Sequence, residues 1–272
     1  MSVPSGDRER GDRGDHQAGI AALVFEDVSV VRGGRLIWSS STFEVPAGGV
    51  VAVIGSNGSG KTTLLEVILG LVPVSSGRVR VFGKRPGENN SSIGYVPQIY
   101  TSASDEAIRV VDAVKLGLNG TKWAFTRGVA GQRRRVEEAL RAVHATEFAG
   151  KRLSQLSGGQ RQRVAIAAAL VAYPKLLILD EPLASLDLRT QYEIVKLLRG
   201  LHENLGVTIL IVTHDLNPVL SFLDSAIYLL DGHAHYDALA GVVDELLLSR
   251  LYGTAIEVAH TPQGQLYLSS AP

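Results

Sequence analysis

The sequence predicts an α/β fold with a central parallel sheet, an antiparallel β subdomain and an inserted helical subdomain. Three observations predict it. An apolar run, Val50-Val51-Ala52-Val53-Ile54, leads into the glycine-rich stretch Gly55-Ser56-Asn57-Gly58-Ser59-Gly60-Lys61-Thr62-Thr63, and Leu64 to Leu69 follow with helical composition. Two further runs, Lys175 to Glu181 and Gly206 to Thr213, are apolar without alternation, as strands covered on both faces are. From about Asp105 to Leu156, β-branched runs give way to helical patterns, which reads as an insertion within the α/β core.

The glycine-rich stretch has the pattern G-x-x-x-x-G-K-[ST], set between a strand and a helix as a phosphate-binding loop requires. Gly55, Gly58 and Gly60 let the backbone adopt positive φ and bring its N–H groups around phosphate oxygens. A helix opening at Lys61 adds unpaired donors and a partial positive charge. Lys61 can reach the β- and γ-phosphates, and the Thr62 hydroxyl is placed to ligate Mg²⁺. A glycine-rich turn that merely contains Lys-Thr is the bland alternative, and eight matching residues with both flanks in agreement argue against it. The stretch binds a nucleoside triphosphate.

Composition bounds the rest. The chain has 272 residues, 45% of them hydrophobic, enough for a sizeable core. Lys plus Arg and Asp plus Glu number 27 each, so no bulk field favours nucleic acid or anionic lipid. The absence of cysteine excludes disulfides and thiolate metal sites. No apolar run approaches the length of a membrane span, and the longest, Val164 to Tyr173, fits a buried helix. A soluble chain that sits against a membrane protein is compatible with all of this.

Residues 1–19 carry interleaved charges and glycines without an apolar face, and are expected to form a disordered leader in which His16 is solvated. They lack the apolar core of a secretory signal. Leu23 to Val31 and Leu36 to Val45 read as strands joined through Gly33-Gly34, and Pro46 to Gly49 turns into the strand before the phosphate loop. Pro73 to Gly77 is expected as a loop, Arg78 to Phe82 as a strand, Pro86 to Ser92 as a loop and Ile93 to Val96 as a short strand before Pro97-Gln98. In the insertion, placed at about 100–160, helices are expected over Ile108 to Leu118 and Val136 to Val143. Arg133-Arg134-Arg135 fits a solvated helix start better than a nucleic-acid patch in a neutral chain.

Leu156-Ser157-Gly158-Gly159-Gln160 then leads into a helix whose N-cap is Ser157. It is a second helix N-terminus suited to an anion, in a chain that already has its phosphate loop, which suggests that it serves a neighbouring molecule's nucleotide. The strand Lys175 to Glu181 ends in two carboxylates. Ligands sit outside the carboxyl ends of parallel strands, so Asp180 can hold the Mg²⁺ shell and Glu181 can polarise an attacking water. Asp187 precedes a helix from about Arg189 to Asn204, and His214 ends the next strand, placed to touch a γ-phosphate. Asp224 to Leu230 and His233 to Tyr236 read as a hairpin through Asp231-Gly232. His233 and His235 share a face at period two, but two ligands do not make a metal site. Residues 241–272 form a short extension, with a helix over Val243 to Leu248 and weak strands around Ile256 and Leu266.

Taken together, these motifs closely resemble the ATP-binding subunit of ABC transporters, over residues from about 22 to 240. Gly55 to Thr63 match Walker A, Leu156 to Gln160 the signature L-S-G-G-Q in full, and Leu177 to Glu181 Walker B; Gln98, Asp187 and His214 match the Q-loop, D-loop and switch histidine. The resemblance implies a P-loop NTPase core of ABC type, ATP and Mg²⁺ as ligands, catalytic roles for Glu181, His214 and Gln98, and Mg²⁺ contacts from Thr62, Gln98 and Asp180. It also implies a head-to-tail dimer of two copies, with each ATP between one subunit's Walker A and the other's Ser157, Gly158, Gly159 and Gln160. The implied partners are transmembrane permease subunits and, indirectly, a solute-binding protein, and the implied place is the cytoplasmic face of the membrane, held peripherally. Where the family stacks an aromatic residue on adenine, this chain has Arg32, whose guanidinium plane can stack on a base. The D-loop reads Ala184-Ser185-Leu186-Asp187 where Ser-Ala-Leu-Asp is common.

Thr213 to Leu220 and the tail Ser249 to Gly253 look like the zinc/manganese-type importers, which implies import of a divalent metal that never touches this chain. Three competing readings remain: an importer of another solute, a soluble ABC-type ATPase of DNA repair or translation, and a nucleotide-binding regulator without turnover. DNA-repair members carry long coiled coils between Gln98 and the signature, where this chain has a compact insertion, and translation members usually carry two cassettes. Glu181 and His214 together disfavour the regulator.

Overall fold

A computed structural model describes residues 21–98, 107–118, 129–260 and 266–270. The expected leader at 1–19 and parts of the insertion and the C-terminal extension lie outside the described residues. β1 (Ala21–Arg32), β2 (Arg35–Pro46) and β4 (Ser76–Val81) form an antiparallel sheet in the order β2-β1-β4. The main sheet has six strands in the order β5-β6-β7-β3-β8-β9, from β3 (Val50–Gly55), β5 (Ile93–Val96), β6 (Leu176–Asp180), β7 (Thr208–Val212), β8 (Ser225–Leu230) and β9 (His233–Ala238). Its pairings are parallel except between β8 and β9, where a hairpin turns through Asp231 (φ 51°) and Gly232 (φ 76°).

Period-two alternation explains why the central strands are apolar throughout. In β3, Val50, Ala52 and Ile54 enter one core while Val51 and Val53 enter another. β6 divides in the same way, with Leu177 and Leu179 on one face and Leu176 and Ile178 on the other, and so does β7. The first core is covered by α2 (Val110–Leu116), α3 (Val129–Ala142), α4 (Gly158–Leu170) and α5 (Leu188–Leu205). The second lies under the antiparallel sheet and α1 (Lys61–Ile68), around the fully buried Trp38 and Phe25. Burying a side chain of this size contributes about 1.5–3 kcal/mol, so both faces are costly to open.

Several element bounds differ from the sequence expectation. α3 begins ahead of the Arg triplet, so Arg133 and Arg134 lie within the helix and pair with Glu137 (2.8 Å) and Glu138 (3.5 Å) one turn on. β4 starts at Ser76, inside the expected loop, because its pairing with β1 extends to Ser29 opposite Ser76. The single helix expected over Val243 to Leu248 is two, α6 (Leu239–Val242) and α7 (Glu245–Tyr252). Asp244 divides them, its carboxylate accepting from the Leu247 N–H at 2.8 Å as an N-cap, and Gly253 in left-handed conformation ends α7. β10 (Ile256–His260) pairs antiparallel with β11 (Leu266–Ser270).

Candidate active site

The phosphate loop joins β3 to α1. Gly60 caps α1 at φ 104°, ψ 16°, and a Cβ there would lie 2.5 Å from Ile37 Cγ2 and 3.0 Å from Trp38 Cδ1. The loop therefore lies against β2, and only glycine fits. Lys61 folds its ammonium into the loop, donating to the carbonyl oxygens of Gly55 (2.7 Å) and Ser56 (3.0 Å). Burial lowers its pKa, and the charges of Glu181 and Asp180 act against that lowering, so both carboxylates lie within electrostatic reach of the ammonium. Ser59 Oγ is buried without a hydrogen-bond partner, and Ser56, Asn57, Gly58 and Thr62 are exposed while Thr63 is buried. A ring of N–H donors at a helix N-terminus, one cation and an orphaned hydroxyl fit a polyphosphate.

Asp180 ends β6, and its pKa is raised chiefly by burial. Tyr95, on the neighbouring strand β5, donates its hydroxyl to Asp180 Oδ2 at 3.3 Å, and burial with the Asp180 charge pushes the phenol up to about 12. Glu181 follows at φ 51°, a left-handed conformation unusual for glutamate, while its N–H donates to Val212 O at 2.9 Å. Such geometry costs on the order of 1–3 kcal/mol and clusters at active sites. It leaves the carboxylate 14% exposed, with Oε2 2.8 Å from Nδ1 of His214, whose side chain is 68% exposed. The structure thus brings Lys61, Asp180, Glu181 and His214 to one edge of the sheet. Gln98 is exposed two residues beyond β5.

Ser157 caps α4 with a reciprocal pair: Gln160 N–H donates to Ser157 Oγ (3.3 Å), and Ser157 N–H donates to Gln160 Oε1 (3.0 Å). Gly159 packs on α5, where a Cβ would come within 2.4 Å of Thr190 Cγ2. Thr190 in turn donates from its N–H (3.0 Å) and hydroxyl (2.7 Å) to Asp187, which lowers that carboxyl's pKa. So Gly159 and Asp187 are held together. Among the described residues no hydrogen bond or ion pair joins 157–160 to the phosphate loop. Arg32, at the end of β1, is ion-paired with Glu66 on α1, and a second guanidinium contact measures 3.2 Å. His233 Nδ1 lies 2.8 Å from Ser39 O and His235 stacks on Tyr228, and among the described residues no group of three or more metal-ligating side chains gathers.

Sequence reasoning missed Tyr95, Glu66 and Thr190. Tyr95 lies in the short apolar strand before Pro97-Gln98, and Thr190 stands three residues after the acid that caps α5, both local signals; the Arg32–Glu66 pair joins elements distant in sequence.

A P-loop nucleoside-triphosphatase core whose parallel strands deliver two acids and a histidine to the loop defines the class. The family model described as ABC transporter matches residues 39–184. The chain is 37% identical over 244 residues to the zinc transport ATP-binding protein TroB of Treponema pallidum, covering 89% of this chain and 91% of that protein. It is 35% identical over 202 residues to the manganese transport protein MntB of Bacillus subtilis, covering 74% and 80%. It is also 37% identical over 215 residues to the sulfate/thiosulfate import protein CysA of Photorhabdus laumondii, covering 78% and 59%. Among solved structures, the ATP-binding cassette MJ0796, a dimer in a post-hydrolysis state bound to ADP and Pi, is similar with a TM-score of 0.66 at 29% identity, covering 80% and 98%. The chain belongs to the ABC transporter family as an ATP-binding subunit that hydrolyses ATP. Subunits of this family dimerise and work with transmembrane permease subunits.

Proposed function

We propose that this subunit hydrolyses ATP with Glu181 as general base and His214 as its partner, within a homodimer that powers solute import. The carrying observation is the 2.8 Å contact between Glu181 and His214 on the strand edge that also holds Lys61 and Asp180. Gly55 to Thr63 wrap the phosphates; Lys61 leaves its carbonyl partners for the β- and γ-oxygens, offsetting their charge. Water attacks the γ-phosphorus in line, Glu181 accepts its proton, and the β-phosphate leaves as ADP. His214, exposed beside Glu181, orients that carboxylate and reaches the γ-phosphate. The hydroxyl of Thr62, the amide oxygen of Gln98 and the carboxylate of Asp180 are hard oxygen donors that would hold Mg²⁺, which supplies charge neutralisation when bound.

The second copy completes the site. Ser157, Gly158, Gly159 and Gln160 form an anion-binding helix start with no bond to their own loop among the described residues, and Asp187 braces that start through Thr190. In a head-to-tail dimer they face the partner's γ-phosphate. Arg32 presents its guanidinium to the base. Glu181→Gln tests the reading: ATP binding persists, turnover falls by about 100-fold or more, and an ATP-bound dimer accumulates on size exclusion. Hydrolysis near the wild-type rate overturns it.

The permease occupies the groove between the Gln98 loop and the helical insertion at about 100–125, part of which lies outside the described residues. A groove of about 740 Å³ lined by Tyr95, Ala113, Leu116, Gly117 and Ala169 supports that placement. The subunit sits peripherally on the cytoplasmic face, without nucleic acid as a partner; no described helix is long and apolar enough to cross a membrane. The cargo is a divalent metal, zinc or manganese, which the similarity to TroB and MntB supports. With the permease reconstituted, ATPase activity should rise with a metal-loaded solute-binding protein and not with its metal-free form. A response to sulfate or another solute instead refutes the cargo and leaves the ATPase standing.

A further inference from the structure

The loop that carries His214 is fastened at three points. Thr213 Oγ1 donates to Asp215 O at 2.8 Å, and Asn217 N–H donates to Asp215 Oδ1 at 3.0 Å, an Asx turn. These two bonds are local. The third spans 51 residues: Asn217 Nδ2 donates to Leu268 O (2.9 Å), and Leu268 N–H donates to Asn217 Oδ1 (2.8 Å). A side-chain amide thus mimics a strand partner for β11, using one donor and one acceptor in a single plane, a pairing that neither Asp nor Ala can reproduce at neutral pH.

What lies beyond Leu268 is one tied unit. Ser249 Oγ accepts from Ile256 N–H (2.8 Å) and Glu245 Oε1 accepts from Val258 N–H (2.9 Å), so α7 holds β10, and β10 pairs with β11. Leu248, Leu251 and Leu268 join the same core as Leu216, Val219 and Leu220 beneath the loop. Tyr252, at the end of α7, is pushed up to about 12 by burial and then by the charges of Asp215 and Glu181, which sets the C-terminal unit within electrostatic reach of the catalytic edge.

We propose that Asn217 is a positioning residue for ATP hydrolysis: its amide clamps β11 to the His214 loop, and the C-terminal unit thereby holds the imidazole against Glu181. His214 itself is exposed and joined to the body by its contact with Glu181, so the loop backbone must supply the rest of its placement. The clamp acts on turnover and not on nucleotide capture, because among the described residues Asn217 bonds to Asp215 and Leu268 and makes no hydrogen bond to the phosphate loop. The inference rests on the role of His214 proposed above.

The experiment compares the full-length chain with Asn217→Asp, Asn217→Ala, His214→Ala and His214→Ala/Asn217→Ala, each checked for folding by circular dichroism. Asn217→Asp is isosteric and keeps the acceptor for Leu268 N–H, so it reports even where the Ala variant unfolds. Expected are a fall in kcat of about 10-fold for Ala and a smaller fall for Asp, with KM for ATP within about two-fold of wild type. In the double variant the Asn217 change adds nothing, since its effect passes through the histidine. A folded Asp variant with unchanged kcat, a KM that rises in step, or additive losses in the double variant overturns the clamp. If His214→Ala alone keeps its turnover, the role of His214 fails first, and the two failures are told apart.

Discussion

Gly60 and Gly58 separate two physical effects in the phosphate loop. Both have positive φ, 104° and 80°, but a Cβ at Gly58 meets nothing within 4 Å, whereas one at Gly60 lies 2.5 Å from Ile37 Cγ2. Left-handed backbone costs an L residue about 1–2 kcal/mol, so Gly58→Ala should lose about that much stability. Gly60→Ala adds forced overpacking against β2, another 1–3 kcal/mol or so, for a total of about 2–5 kcal/mol. In a chain of this size that lowers Tm by about 4–20 °C, against about 2–8 °C for Gly58→Ala. Gly60 also sets the direction of the first N–H groups of α1. Losing one charge-assisted bond of about 1.5–3 kcal/mol should weaken ATP by about 10- to 100-fold. Thermal unfolding of the nucleotide-free chain and titration with a fluorescent ATP analogue measure the two quantities. A Gly60→Ala variant that unfolds within about 2 °C of Gly58→Ala would show that Ile37 yields freely and that the close packing of loop on β2 has no energetic weight.

The composite site makes a complementation test. Ser157→Arg puts a bulky cation at the start of α4, so the monomer should still bind ATP while hydrolysis fails; mixed with Lys61→Ala protein, one site with both wild-type halves forms and part of the turnover returns. Loss of ATP binding by monomeric Ser157→Arg would mean that 157–160 act in their own subunit. Arg32→Ala should weaken ATP by about 1–2 kcal/mol through loss of stacking, with Glu66→Gln showing a smaller effect because it only frees the guanidinium. Unchanged affinity in Arg32→Ala leaves Arg32 as a tie between β1 and α1, of the kind worth about 0–1 kcal/mol at a surface.

The parts of the site that were legible in the sequence are those written in consecutive residues. Gly55 to Thr63 declare their turn, their donors and their helix in one stretch, and the apolar runs before Asp180 and His214 place those residues at strand ends. The contacts that tune them are not local. Tyr95 reaches Asp180 because β5 pairs in parallel with β6, with Val96 beside Leu179, a register that neither strand encodes alone. Asn217 lies in the Thr213 to Leu220 stretch that resembles zinc/manganese-type importers, yet its bonds to Leu268 depend on a chain reversal through α7 and β10. The Arg triplet misled for a related reason: charges that look like a helix start are equally stable inside a helix once Glu137 and Glu138 stand one turn away.

Register also explains why such a site forms at all. Val212 of β7 pairs with both Val53 of β3 and Asp180 of β6, so the three strands share one register at this level of the sheet. Glu181 lies one residue beyond that level and Gly55 and His214 two, and the Glu181 N–H is held by Val212 O. The apolar alternation that buries these strands in two cores fixes their register, because a slip of one residue would exchange the cores on every strand. The catalytic geometry is therefore specified by residues that never meet ATP. Under the proposed function cargo is specified differently: it is read by other chains, and it would reach this one only through the groove beside β5 where the permease is placed.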